Sequence, residues 1–207
     1  MGDRRIIHLV DDEEAIRRAA GFALKAVGLG VETYASGVEF LARARPTTQG
    51  CVILDVRMPA MDGLEVQTAM AERGIQMPVI VLTGHGDVSV AVQAMKAGAV
   101  DFLTKPVRDQ DLFDAVVAAI GRDQERLIDR EDAADLEQRY ARLSPRERQV
   151  MALVTKGRLN KQVAAELSLS EATIKIHRKS AMQKMKARTL AEWVRLADRL
   201  LPQSAPN

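Results

Sequence analysis

Apolar residues in the first half of the chain form short continuous runs, separated by longer segments in which they recur at helical spacing. Such runs predict buried strands. They are Ile6–Val10, Val31–Tyr34, Cys51–Leu54, Val79–Leu82 and Phe102–Leu103. Between them, Val88, Ala91, Val92 and Met95 follow the i, i+3, i+4, i+7 pattern of an amphipathic helix. The alternation predicts an α/β fold, a parallel sheet with helices on both faces.

The last third of the chain has helical patterns only. Ser144-Pro-Arg-Glu147 is a capping box with proline at the first helical position, which marks a helix start. Gly157 is expected to end this helix, and Asn160, Ser170 and Thr189 are predicted to cap the starts of three further helices. We therefore expect a small all-α domain over residues 143–207, after a first domain over residues 1–121.

Residues 122–142 contain no glycine or proline and are rich in helix-forming residues. They predict a helical linker that continues the last helix of the first domain. Ile120, Leu127 and Ala134 recur at intervals of seven, which is compatible with a coiled coil between two copies. The stripe is short and mixed with polar residues, so a solvated helix fits equally well.

The net charge also differs between the predicted domains. Residues 1–121 contain 12 basic and 16 acidic residues, a net charge of −4, and residues 122–142 have a net charge of −2. Residues 143–207 contain 13 basic and 5 acidic residues, a net charge of +8. A basic helical domain beside an acidic domain favours DNA as the ligand of the second domain. Aromatic residues are 3% of the chain, which disfavours RNA recognition by base stacking.

Other features narrow the class of protein. No stretch reaches the length of a membrane span, and the N-terminus lacks the apolar region of a signal peptide. We therefore expect a cytoplasmic protein that does not bind membranes. The single cysteine, Cys51, lies in an apolar run and is expected to be a core residue.

Polar residues follow four of the five predicted strands. Asp11 and Asp12 follow the first strand, Asp55 the third, Thr83 the fourth and Lys105 comes after the fifth. The carboxyl ends of parallel strands share one edge of the sheet, so these residues should converge. Crowded carboxylates favour Mg²⁺, and a carboxylate, a lysine and a hydroxyl together suit phosphoryl transfer to an aspartate.

The motifs LVDD, LDVRMPAMDG, VLTGHGD and FLTKP resemble, in this order and spacing, the receiver domain of two-component response regulators. The resemblance covers residues 4–121 and implies a flavodoxin-like, CheY-like doubly wound sheet of five strands. It implies that Asp55 accepts the phosphoryl group. It also implies that Asp12 binds Mg²⁺ directly, Asp11 through water and Arg57 through its backbone carbonyl.

The same resemblance assigns further roles around Asp55. Thr83 and Lys105 would bind phosphoryl oxygens, Phe102 would be an aromatic switch residue, and the bond before Pro106 would be cis. Arg57 and His85 occupy positions that tune the lifetime of the aspartyl-phosphate in this family, although a solvated loop histidine is an equal alternative for His85.

Residues 143–200, with LSPRERQVM followed by NKQVA, resemble LuxR-type helix-turn-helix domains of the FixJ subgroup. The resemblance places Lys175, Ile176 and Lys179 in the major groove of DNA. Phosphate contacts are expected from polar residues near the helix starts at Asn160 and Ser170 and on the helix that follows Ser170. These are Asn160, Lys161, Thr173 and Arg178. His177 is expected to pack inward with Ile174, Ala181 and Met185.

Together the resemblances imply a transcription regulator, not an enzyme apart from slow hydrolysis of its own aspartyl-phosphate. A partner histidine kinase would phosphorylate Asp55, and receivers would then dimerise through Val90, Ala94 and Met95 and pair the DNA-binding domains on two half-sites. One alternative is a phosphohydrolase of the dehalogenase type, which needs a second acid where this chain has Arg57. Another is a DNA-binding protein whose receiver is only a dimerisation scaffold.

Overall fold

The computed structural model of the chain describes residues 6–84 and 88–200, in two compact units that divide between Leu127 and Ile128. This division falls inside the predicted linker of residues 122–142. The predicted domain bounds, 1–121 and 143–207, stay a prediction.

The first unit contains five strands and the helices between them. The strands are β1 (Ile6–Val10), β2 (Gly30–Tyr34), β3 (Gly50–Asp55), β4 (Val79–Thr83) and β5 (Asp101–Thr104). The helices are α1 (Glu14–Ala26), α2 (Gly37–Arg43), α3 (Gly63–Glu72), α4 (Val88–Lys96) and the first part of α5 (Asp109–Ala141). All strand pairs are parallel, in the order β2-β1-β3-β4-β5. This is the flavodoxin-like order, so the predicted fold class is confirmed.

The central strand β3 explains why its sequence is apolar without alternation. Every residue of β3 is buried. Val52 and Leu54 lie in one core with residues of α2, α3 and α4, whereas Cys51 and Ile53 lie in a second core with residues of α1 and α5. Because helices cover both faces of the sheet, neither face of the strand can be polar.

Asp123 ties helix α5 to the start of β3. Its buried carboxylate accepts a hydrogen bond of 2.8 Å from the backbone N–H of Gly50 and one of 2.6 Å from Nη2 of Arg126. Gly50 has a φ of 110°, and a Cβ at this position would approach the carbonyl oxygen of Ile6 to 2.0 Å. Glycine is therefore required where the helix and the two strands meet.

The second unit is helical, as predicted. Its helices are α6 (Pro145–Thr155), α7 (Asn160–Leu167), α8 (Glu171–Lys184) and α9 (Leu190–Leu200), preceded by the last turns of α5. Their buried side chains form one core around Trp193, to which Leu136 of α5 belongs. Ser170 caps α8 as predicted. The prediction that Asn160 caps α7 is wrong, because the cap is Leu159, whose N–H donates to Oε1 of Gln162.

The apolar residues that recur at intervals of seven have different surroundings. Ile120 packs against the core of the first unit, whereas the side chain of Ala134 is exposed. The coiled coil between two copies stays a prediction.

Glu147 has hydrogen-bond partners outside its capping box. Its carboxylate accepts hydrogen bonds from the N–H of Ser144 at 2.7 Å, from Oγ of Ser180 at 2.6 Å and from Nζ of Lys184 at 2.7 Å. Burial alone would raise the pKa of Glu147, but these donors outweigh it and lower the pKa from 4.5 to about 2. The ionised carboxylate therefore joins α6 to α8.

We predict that Glu147→Gln lowers the free energy of unfolding of the second unit by about 2 kcal/mol at neutral pH, since it weakens charge-assisted hydrogen bonds in a buried site. The folded-state pKa lies below the unfolded value, so this stabilisation is present above pH 4.5 and is lost as the pH falls toward about 2. Urea unfolding followed by the fluorescence of Trp193, the single tryptophan, measures it. Glu166→Gln, an exposed position on α7, is the control. A difference between wild type and Glu147→Gln that persists unchanged down to pH 2 would contradict the assignment.

Candidate functional site

The residues predicted to converge do so at the carboxyl edge of the sheet. Asp11 directly follows β1, Asp55 ends β3, Thr83 ends β4, and Lys105 directly follows β5. Carboxylate oxygens of Asp11, Asp12 and Asp55 lie within 4.8 Å of one another. All of these are oxygen ligands, the type that hard divalent cations prefer, so the three residues form a candidate cation site.

Lys105 neutralises part of this acidic cluster. Its Nζ lies 2.7 Å from Oδ2 of Asp11, 3.1 Å from Oδ1 of Asp55 and 3.7 Å from Oε1 of Glu13. The backbone N–H of Lys105 donates to the carbonyl of Thr83 at 2.7 Å, which fixes the start of the segment after β5. The peptide bond between Lys105 and Pro106 is cis, as predicted.

The two adjacent aspartates have different environments. Asp11 is fully buried, and its Oδ1 accepts a hydrogen bond of 2.8 Å from the N–H of Glu13 while its Oδ2 binds Lys105. Asp12 is exposed, and within the described part of the chain its carboxylate makes no hydrogen bond or ion pair. Asp12 is thus the more accessible ligand, whereas Asp11 is already held by the protein.

Burial sets the electrostatics of the pocket. It raises the pKa of the Asp55 carboxyl above 3.8; Lys105 opposes this shift, and the charges of Asp11 and Asp12 add to it. Burial by itself would lower the pKa of Lys105, but its hydrogen bonds to Asp11 and Asp55 raise it. The ammonium group therefore keeps its proton, and Asp55 is a carboxylate whose charge is unfavourable where it lies.

The loop after β3 holds Asp55 in place. Gly63 begins α3 directly against the Asp55 carbonyl, where a Cβ would come within 2.3 Å of the carbonyl oxygen. Asp62 caps α3 through a capping box with Glu65, so its role is structural, and Arg57 is exposed in the loop. After β3 the chain must turn sharply, and the start of α3 must pack against the end of the strand. Proline, aspartate and glycine follow the strand because they suit this turn and helix start.

The remaining predicted pocket residues lie on β4 and β5. Thr83 is buried, and Phe102 is partly buried beside Val81, its neighbour on β4. His85 lies outside the described residues.

An apolar groove lies between α4 and β5. Its lining comprises Val88, Ala91, Val92, Met95, Lys96, Phe102 and Thr104. Three large hydrophobic residues of this lining are exposed, namely Val88, Val92 and Met95. The prediction that Ala94 contacts a second receiver is wrong, because Ala94 is fully buried in the core beneath α4. Val90 is partly buried and also packs against that core.

The helix-turn-helix consists of α7, a turn at residues 168–170, and α8. Lys175, Ile176 and Lys179 are exposed on one face of α8. Ile174 and Ala181 on the opposite side are buried, as is Met185 directly after the helix. The predicted face is thus open to a ligand. His177 is partly buried.

The predicted phosphate-contacting residues divide into two groups. Lys161 is exposed, but Arg178 donates to Oδ1 of Asn160 at 3.3 Å, and the hydroxyl of Thr173 lies 2.7 Å from that of Ser170. Asn160, Thr173 and Arg178 therefore also contribute to the contacts within the motif.

Sequence reasoning missed Arg17. Its Nη1 donates to the backbone carbonyls of Asp11 at 2.7 Å and Asp12 at 2.8 Å. The sequence alone does not indicate which of Arg17 and Arg18 contacts the aspartate backbone. The positions of their side chains in the structure do.

Helices in the described part of the chain include none that is long and apolar enough to cross a membrane.

Comparisons with known proteins match two families to this chain. The chain matches the response regulator receiver domain over residues 7–117 and the luxR family of bacterial regulatory proteins over residues 141–197. Nodulation protein W of Bradyrhizobium diazoefficiens is 47% identical over 197 residues, which are 95% of this chain and 87% of that protein. Transcriptional regulatory protein FixJ of Azorhizobium caulinodans is 43% identical over 200 residues, 97% and 94% of the two chains. The structure of response regulator StyR matches with a TM-score of 0.82 at 39% identity and covers 95% of this chain and 99% of that one.

We predict that Asp55→Asn raises the free energy of unfolding of the first unit by about 1 kcal/mol, or a few degrees in Tm. The folded-state pKa of Asp55 lies above 3.8, so the ionised group costs stability at neutral pH. The gain should shrink as the pH falls through the folded-state pKa and should be absent below 3.8. Scanning calorimetry measures the change, and Trp193 fluorescence identifies the transition of the second unit. Asp114→Asn, an exposed position on α5, should leave Tm unchanged. A lower Tm for Asp55→Asn would show that Lys105 already compensates the buried charge.

Proposed function

The chain belongs to the response regulators that join a receiver domain to a LuxR-type DNA-binding domain, and on that basis we propose that phosphorylation of Asp55 switches its binding to promoter DNA. The observation that carries the proposal is the contact of Lys105 with both Asp11 and Asp55. It places a positive charge beside a buried carboxylate at the edge where three acidic residues meet. A transcription regulator of this kind acts in the cytoplasm.

The phosphoryl donor is a phosphohistidine of a partner sensor kinase. An oxygen of the Asp55 carboxylate attacks phosphorus, the new O–P bond forms, and the P–N bond breaks with its electron pair going to the imidazole. Lys105 then pairs with a phosphoryl oxygen, and the Thr83 hydroxyl donates to another.

Asp12, Asp55 and the Arg57 carbonyl would hold Mg²⁺ directly, with Asp11 acting through water. Bound there, the ion offsets negative charge on the carboxylates and the phosphoryl oxygens. The product hydrolyses slowly, at a rate tuned by Arg57 and His85, which makes the protein a timed switch instead of a turnover enzyme.

The pocket communicates with the groove between α4 and β5 through Phe102, which lines that groove and packs against the core. When Thr83 moves toward the phosphoryl group, Phe102 turns inward and the groove changes shape, which shifts an existing equilibrium between two states. The exposed side chains of Val88, Val92 and Met95 then contact a second receiver. The resulting homodimer presents two DNA-binding domains to two half-sites of double-stranded DNA.

The dimerisation step is tested by light scattering with and without Mg²⁺ and beryllofluoride, which stands in for the phosphoryl group. We expect the wild-type mass to double with the reagents and the mass of Asp55→Asn to stay constant. Val92→Asp, in the groove, should remain a monomer, whereas Gln93→Asp, exposed on α4 but outside the groove, should dimerise. Equal masses for wild type in both conditions would overturn this mechanism.

The proposed DNA contacts of α8 predict how substitutions change DNA affinity. With a duplex selected by this protein from a random pool, Lys175→Gln should weaken binding about tenfold, because it removes a contact to a base edge. Arg195→Gln removes the same charge from an exposed site on α9 and should have little effect. Fluorescence anisotropy measures both affinities. If the two variants weaken binding equally, general electrostatic attraction is the cause and α8 does not read the sequence.

A further inference from the structure

We propose that Arg17 is a positioning residue of the phosphoryl-acceptor pocket: it holds the backbone of Asp11 and Asp12 so that the Asp12 carboxylate faces the cation site. The inference rests on the proposed function, since it concerns Mg²⁺ at that pocket. Its basis is the pair of hydrogen bonds from Nη1 of Arg17, 2.7 Å to the Asp11 carbonyl and 2.8 Å to the Asp12 carbonyl.

These two bonds act on the segment between β1 and α1. Because one guanidinium nitrogen donates to both carbonyls, the two carbonyl oxygens must point toward the same atom. This fixes the orientation of two consecutive peptide groups. Both bonds have a charged donor, which makes them stronger than bonds between neutral groups. The direction in which the side chain of Asp12 leaves the backbone is thereby determined.

Asp12 depends on this contact more than Asp11 does. The carboxylate of Asp11 has two partners of its own, the N–H of Glu13 and Nζ of Lys105. The carboxylate of Asp12 is exposed and has no such partner among the described residues. Loss of Arg17 should therefore act on Mg²⁺ binding through Asp12.

Electrostatics alone predicts that Mg²⁺ affinity rises, and does not fall, when Arg17 is removed. If Arg17 acted only as a positive charge near three carboxylates, its removal would make the pocket more negative and tighten the binding of a divalent cation. If Arg17 positions Asp12, its removal weakens that binding. Mutations of groups that orient metal ligands commonly cost between about 10- and 100-fold in metal affinity.

Arg18 is a matched control for this distinction. It is the next residue on the same helix and carries the same charge, but its side chain is 81% exposed and its nearest acidic partner is Glu14, with Nη1 and Oε1 3.9 Å apart. Arg18→Gln removes an equal charge without removing a bond to the aspartate backbone.

The test is isothermal titration of the full chain with Mg²⁺. We expect Arg17→Gln to bind roughly tenfold more weakly than wild type, and Arg18→Gln to bind as tightly as wild type or slightly more tightly. Arg17→Lys keeps the charge but not the geometry of the guanidinium group, and it should bind between wild type and Arg17→Gln. It also serves as the second variant if Arg17→Gln proves unstable.

A double-mutant cycle with Asp12→Asn locates the effect. In the Asp12→Asn background, adding Arg17→Gln should cause no further loss of Mg²⁺ affinity, whereas a general disruption of the pocket would add to the first loss. The proposal is overturned if Arg17→Gln binds Mg²⁺ as tightly as Arg18→Gln, if the two losses add, or if wild type binds no Mg²⁺. Wild type that binds Mg²⁺ but takes no phosphoryl group from acetyl phosphate would refute the proposed function and leave the role of Arg17 to be decided by the affinities.

Discussion

The ammonium group of Lys105 is the contact on which the pocket depends. Three carboxylates whose oxygens lie within 4.8 Å would repel one another, and two of them are buried. Lys105 lies close enough to Asp11 and Asp55 to offset this repulsion. It joins the ends of β1, β3 and β5, so the contact requires the parallel sheet in its observed order. In the proposed mechanism the same ammonium group pairs with the phosphoryl oxygens once Asp55 has reacted.

Close backbone contacts make that geometry possible. Gly63 lets α3 begin against the Asp55 carbonyl, and Gly50 lets β3 approach β1 where Asp123 of α5 also binds. In the second unit the buried Glu147 joins α6 to α8 in a comparable way. In both units, buried polar groups with several partners fix the backbone near the candidate site, because a buried polar group without partners would be costly.

The sequence was sufficient to predict what depends on periodicity and on strand ends. The strands, the convergence of Asp55 with Lys105 and the exposed face of α8 followed from apolar runs, parallel topology and helical spacing. The individual contacts of a side chain could not be predicted in this way. The capping box explained one partner of Glu147 but not Ser180 or Lys184, and helical spacing could not tell that Ala94 faces the core. Arg17 and Arg18 are equivalent in sequence and differ only in what their side chains reach.

Phosphorylation of Asp55 is tested by measuring the mass of the intact chain after incubation with acetyl phosphate and Mg²⁺, followed by peptide mapping. We expect one added phosphoryl group, located on Asp55, that is absent when Mg²⁺ is chelated and absent from Asp55→Asn. An unmodified wild-type chain, or a phosphoryl group on another residue, would contradict it.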